Sequence, residues 1–153
     1  MDTASLLSLI DVFYEPSFAL ATAVARFTDG TPPEELRPHQ LKVHPGDPSI
    51  TAVWLETVDP IAPSKEPYLA GVVLDFAEPA VIALATLAER FGPAREVPRL
   101  KPDHPRPYQF LVKGTPLEGY VTLSVKLGDE DVEPKHVERV ILRRFAANAA
   151  RAT

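Results

Sequence analysis

The sequence predicts an α+β domain: an antiparallel sheet of about five strands with helices on one face, in ferredoxin-like βαββαβ order plus a C-terminal βα extension. Three observations predict it. In residues 68–76, Tyr68, Ala70, Val72, Leu74 and Phe76 alternate with Leu69, Gly71, Val73 and Asp75, the period of a strand. Next, Pro79 stands where a first helical residue belongs. Ala80, Val81, Leu84, Leu87, Ala88 and Phe91 then share one helical stripe, closed by Gly92 and Pro93. Third, the pattern echoes: EPSFALATAVARF (15–27) and EPAVIALATLAERF (78–91) share EP, ALAT and RF, and EPKHVERVILRRF (133–145) keeps the two ends. Leu41-Lys42 with His44-Pro45 likewise echoes Leu100-Lys101 with His104-Pro105. Either an Ala- and Pro-rich chain repeats by coincidence, or a strand–helix–strand unit is duplicated.

In chain order, residues 5–14 are two-sided. Leu6, Ile10 and Phe13 fit helical spacing, but the match to the strand before Pro79 points to a strand, and a strand is expected. Residues 16–28 are the first helix, with Leu20, Val24 and Phe27 inward. Residues 30–49 form a long Pro-rich connection with at most one helical turn at 34–36. A second strand spans 50–58, and a three-proline loop at 59–67 joins it to the central strand. After the central helix, residues 93–107 form a second Pro-rich loop whose fixed φ angles leave little entropy to lose. Tyr108, Phe110 and Val112 face inward on the next strand. Residues 119–127 alternate with Val121, Leu123, Val125 and Leu127 inward and Tyr120, Thr122, Ser124 and Lys126 outward. Residues 134–150 read as a helix with Val137, Val140, Ile141 and Phe145 inward and Arg143, Arg144 and Arg151 near its end. A strand over 137–145 is the rival.

A chain of 153 residues makes one domain, 1–153, with a substantial core. A net charge of −5 argues against general nucleic-acid binding, which needs surplus Lys and Arg. The absence of Cys excludes disulfides, thiolate nucleophiles and Cys-held zinc, and suits a reducing compartment. No Lys or Arg precedes Arg26, so the amino terminus lacks the basic start of a secretory signal. Asp11, Glu15 and Pro16 interrupt any membrane span. A cytoplasmic protein with no membrane partner is expected.

No nucleophile elbow, phosphate-cradling Gly run or metal-binding helix motif is present, so no catalytic residue, metal or cofactor is assigned. His44 and His104, with Asp47 and Asp103 nearby, make a metal or acid/base site only if their loops converge; otherwise they are ordinary loop histidines. Glu15, Glu78 and Glu133 precede the prolines and suit helix amino termini. The acidic run Asp129, Glu130, Asp131 and Glu133 is either a solvated turn or a contact for a basic partner. Trp54 and Tyr120 are the aromatic candidates for that contact. The polar sheet face carrying Gln109, Leu111, Lys113, Tyr120, Thr122, Ser124 and Lys126 offers a surface for a protein partner or a homodimer mate.

The stretch RFGPAREVPRLKPDHPRPYQF (90–110), followed by the 119–127 strand, resembles small bacterial immunity proteins that neutralise secreted toxins. The resemblance covers about the last half of the chain. It implies a protein that binds a cognate toxin and masks its active site or substrate path. The expected function is therefore inhibitory protein binding. The alternatives are a small-ligand or metal-dependent site at the His44 and His104 loops, and a homo-oligomeric structural or regulatory module.

Overall fold

The computed structural model describes residues 1–60 and 66–145. Its helices are α1 (Thr3–Phe13), α2 (Leu20–Phe27) and α3 (Leu84–Phe91). Its strands are β1 (Glu34–Arg37), β2 (Gln40–Val43), β3 (Ile50–Val58), β4 (Tyr68–Ile82), β5 (Arg95–Glu96), β6 (Arg106–Val112), β7 (Gly119–Val125) and β8 (Lys135–Arg144). All eight strands form one antiparallel sheet in the order β1-β2-β3-β4-β8-β7-β6-β5. This replaces the expected five-stranded ferredoxin-like sheet: the chain builds two four-stranded meanders, whose last strands meet at the centre.

Four local expectations are corrected, each for a physical reason. Residues 5–13 belong to helix α1, with Tyr14 as its C-cap. Asp2 caps it by accepting a hydrogen bond from the Ser5 amide at 2.8 Å, and Leu6, Leu9, Ile10 and Phe13 are buried along one stripe. Pro79 lies inside β4. Between Asp75 and Ala80 the β4–β8 register breaks, so Pro79 occupies a bulge where the ladder needs no N–H. The helix starts only at Leu84, and Ile82, which the expected helix pointed away from the core, is fully buried. Residues 135–144 are strand β8. Their bulge, opposite Ser124 and Val125, shifts the alternation by one residue, so Val137, Val140 and Ile141 imitate helical spacing. The remainder of that expected helix, 146–150, and Arg151 lie outside the described residues, as does 61–65 of the 59–67 loop. Finally, the Pro-rich 30–49 segment contains the β1–β2 hairpin in place of a loop with one helical turn.

The expected repeat exists in another form. ALAT…RF is an eight-residue helix in both copies, α2 and α3, each followed by a four-stranded meander. EP is a turn in the first copy and strand in the second, so no strand–helix–strand unit repeats. Exchanging β1–β4 with β5–β8 reverses the strand order onto itself. The register agrees. One row across the sheet reads Lys42, Trp54, Val73, Ile141, Thr122, Gln109, Arg95. Trp54 and Thr122, like Val73 and Ile141, stand 68 positions apart, so a pseudo-twofold axis passes between Val73 and Ile141.

The core lies on one face. Val53, Leu55, Val72 and Leu74 of the first half meet their equivalents Val121, Leu123, Val140 and Leu142 under the buried stripes of the three helices. Phe110 and Val112 are buried as expected; Leu127, expected inside, is exposed. Val73 is 8% exposed yet stands apart from that core, on the opposite, open face.

Candidate functional site

The open face is organised by two ion pairs flanking the axis. Arg139 on β8 grips Asp75 on β4 with Nε–Oδ1 at 2.5 Å and Nη2–Oδ2 at 3.1 Å. Arg143 grips Glu56 on β3 with Nε–Oε1 at 2.9 Å and Nη2–Oε2 at 3.2 Å, which holds the guanidinium above its ordinary pKa. Glu56 and Arg143 are separated by β4, and the residue between them in the row is Gly71.

Each ion pair borders a depression. Groove B, about 700 Å³, lies between the open face and the Pro-rich segment 97–107; Asp75, Thr122, Ser124, Arg139 and His104 line it. Cleft A, about 420 Å³, lies between the β1–β2 turn and the ends of β3 and β8; Arg37, His39, Glu56, Arg143 and Arg144 line it. They are pseudo-symmetric twins. Gln40, Glu56 and Arg143 in cleft A stand where Pro107, Ser124 and Asp75 stand in groove B. The two halves thus share a backbone and differ in chemistry.

The wall of groove B is fixed from outside. The Arg99 guanidinium donates to Glu130 Oε1 at 2.6 Å and to the Pro102 carbonyl at 3.2 Å, and the Val97 amide donates to the Pro107 carbonyl at 3.1 Å. Leu100 is left 90% exposed at the rim.

The acidic run is largely occupied by these contacts. Asp129 Oδ2 lies 2.8 Å from His136 Nδ1, and Glu133 pairs with Lys135 at 3.1 Å. Glu130 accepts from Arg99 and the Gly128 amide; its own backbone N–H, then Gly128 and Arg99, lower its pKa. Asp131 is exposed and has no ion-pair partner among the described residues. Trp54 is half-buried on the open face under the Lys42 ammonium, 5.5 Å from its ring. Tyr120 is on the same face, 6.0 Å from the Phe145 ring, and its carbonyl accepts from the Tyr14 hydroxyl at 2.9 Å.

His44 follows β2 and pairs with Glu34 at 3.3 Å; His104 lies across four intervening strands, in groove B. Asp47 is occupied by Ser49. The two loops do not converge, and among the described residues no group of three or more His, Asp or Glu side chains is placed to hold a metal ion. Glu78 lies in a strand, Glu15 in a turn and Glu133 before a strand, so none begins a helix. No described helix is long and apolar enough to cross a membrane.

Sequence alone assigned Arg37 and Arg139 no role and placed Arg143 and Arg144 at a helix end; for the three arginines of β8 the signal is that strand's alternation, legible once its bulge is allowed for. No protein-family model, curated protein or solved structure was found to match the chain.

Proposed function

We propose that this chain is a non-enzymatic binding protein that engages a protein partner across the open face of its sheet, with groove B as the principal contact. The observation that carries the reading is Leu100, exposed at the groove rim on a segment anchored by Arg99 and Glu130. With Pro98, Pro105 and Ile141 it makes an apolar strip bordered by Thr122 and Arg139, the anatomy of an interface core with a polar rim. A proline-rich wall loses little conformational entropy when a partner orders it. Trp54 and Tyr120 share that face, and Asp131 is the acid left open for a basic partner. By its resemblance to immunity proteins, the partner is a secreted toxin whose active site or substrate path this face covers. A cytoplasmic location goes with the reading and suits a Cys-free chain.

Capture from the native host with identification by mass spectrometry tests it, using wild type, Leu100→Asp, and Glu89→Ser on the exposed side of α3. A toxin retained by wild type and Glu89→Ser but lost by Leu100→Asp supports the reading. Equal retention by Leu100→Asp assigns the contact elsewhere, and self-association alone replaces the reading with a homo-oligomeric module.

A small-ligand site is the second reading, because groove B has the volume of such sites and carries His104 beside two ion-paired side chains. Native mass spectrometry and metal analysis of the purified protein separate the two.

A further inference from the structure

We infer that groove B receives a basic side chain of the protein partner, held by Glu138 and flanked by the groove's apolar wall. The inference rests on the protein-binding reading above and names the chemistry that its principal contact selects.

Glu138 reaches the groove because β8 is bulged. Ser124 pairs with Arg139 and Val125 with Val137, which leaves Glu138 without a partner residue on β7. In a regular strand successive side chains point to opposite faces, but at this bulge Glu138 and Arg139 both line groove B. The bulge recurs in the first half. There Glu56 pairs with Gly71 and Thr57 with Leu69, which leaves Ala70 over, and Ala70 lines cleft A. Ala70 and Gly71 stand 68 positions before Glu138 and Arg139. The backbone device is common to both halves, and the carboxylate belongs to groove B alone. A bulge that needs no acid in one half needs none in the other.

The charge of Glu138 is also the one left unmatched in the groove. Asp75 and Arg139 engage each other, Arg143 engages Glu56, and Arg99 engages Glu130 and the Pro102 carbonyl. The Arg99 Nε has no hydrogen-bond partner, but it is buried. Glu138 is half-buried, with neither an ion pair nor a side-chain hydrogen bond among the described residues. It shares the groove with Pro98, Leu100, Pro105 and Ile141, so it is screened less than an acid in open water. A long basic side chain fits this arrangement: its methylenes lie along apolar surface while its head reaches the acid. A groove of about 700 Å³ has room for that side chain and its apolar neighbours. The net charge of −5 draws a basic partner toward the chain from a distance.

The test is a heteronuclear NMR titration of the full chain at about pH 8, where imidazole is ordinarily neutral. The probes are two acetylated and amidated tripeptides, Leu-Arg-Leu and its uncharged isostere Leu-citrulline-Leu. Saturable shifts at Val97, Thr122 and Ser124 are expected, with Leu-Arg-Leu the tighter ligand by about fivefold or more. Glu138→Gln, and Glu138→Ala, which copies the first half, are each expected to abolish that preference while the β7 spectrum stays folded. No saturable shift with either peptide, equal affinity for the two, or a preference that survives Glu138→Gln would each overturn the inference. So would tighter binding of agmatine, which carries the same head group, because the occupant is then a free amine and not a partner's side chain. The protein-binding reading fails by a different result, capture that Leu100→Asp leaves unchanged.

Discussion

Glu56 and Arg143 form a two-pronged ion pair although a whole strand lies between them, and Gly71 makes this possible. Adjacent strands are ~4.8 Å apart, so the two side chains must meet over β4. A Cβ at Gly71 would stand 2.6 Å from Glu56 Oε1 and 3.1 Å from the Leu142 carbonyl. The absent side chain is the space the ion pair uses.

Gly71→Ala is therefore expected to destabilise by ~1–3 kcal/mol, read from urea unfolding. The cause is separable. In a Glu56→Gln background, where the amide is free to turn away from the weakened pair, the same substitution is expected to cost measurably less. An unchanged cost would trace the effect to the Leu142 carbonyl alone.

Arg144 ties the end of α1 and the following turn to the sheet, since Phe13, Glu15 and Phe18 precede α2 and Leu69 lies on β4. Its guanidinium also stacks on the Phe13 ring at 4.6 Å. Arg144→Met leaves several buried carbonyls without a donor, at ~1–3 kcal/mol for each one left dry. A loss above ~3 kcal/mol is expected in chemical denaturation. Arg144→Lys restores little, because an ammonium cannot reproduce the planar fork.

Four carboxyl groups have depressed pKa values in the folded protein. Ser5 lowers Asp2, Thr31 lowers Asp29, Ser49 lowers Asp47, and backbone N–H groups with Arg99 lower Glu130. A group depressed on folding adds stability above its unfolded value and loses it as pH falls through the folded value. Stability is therefore expected to fall from about pH 4 downward. Asp2→Asn keeps a capping side chain but removes the titration, so its acid limb is expected to be shallower, measured by urea midpoints from neutral pH to about pH 2.5.

Glu130 holds the wall of groove B through Arg99, so Glu130→Gln is expected to loosen residues 97–107 while sparing the sheet. Hydrogen exchange reads this directly: the Val97 and His104 amides, donors to Pro107 and Lys101, exchange faster and those of β7 do not. Protection unchanged in the loop would mean that its prolines and backbone bonds alone hold it.

In the second half β7 was the most legible strand, because it alternates without interruption. In β7, Val121, Leu123 and Val125 are buried and Tyr120, Thr122 and Ser124 are half-exposed, as the period of two demands. The α1 stripe was equally plain in Leu6, Ile10 and Phe13, but the resemblance of one EP segment to another outweighed it. The wrong unit of repetition was read: the EP start varies, while ALAT…RF and the pair V-x-L, V-x-L at 68-residue spacing mark the true one. For the candidate site, the sequence offered acids and histidines. The folded chain neutralises most of the acids and keeps His44 and His104 four strands apart.

By itself the sequence determined which stretches carry apolar faces, where α2 and α3 close, and that residues 50–58, 108–112 and 119–125 are strands, because those patterns are local. Only the tertiary structure decided that 68–82 runs on through Pro79 and that 135–144 is a central strand. A bulge looks like a helix or a break until the neighbouring strand supplies its hydrogen-bond partners. The clefts were decided there too: their ion pairs form only when β8, the last strand of the second meander, is laid against β4, the last of the first.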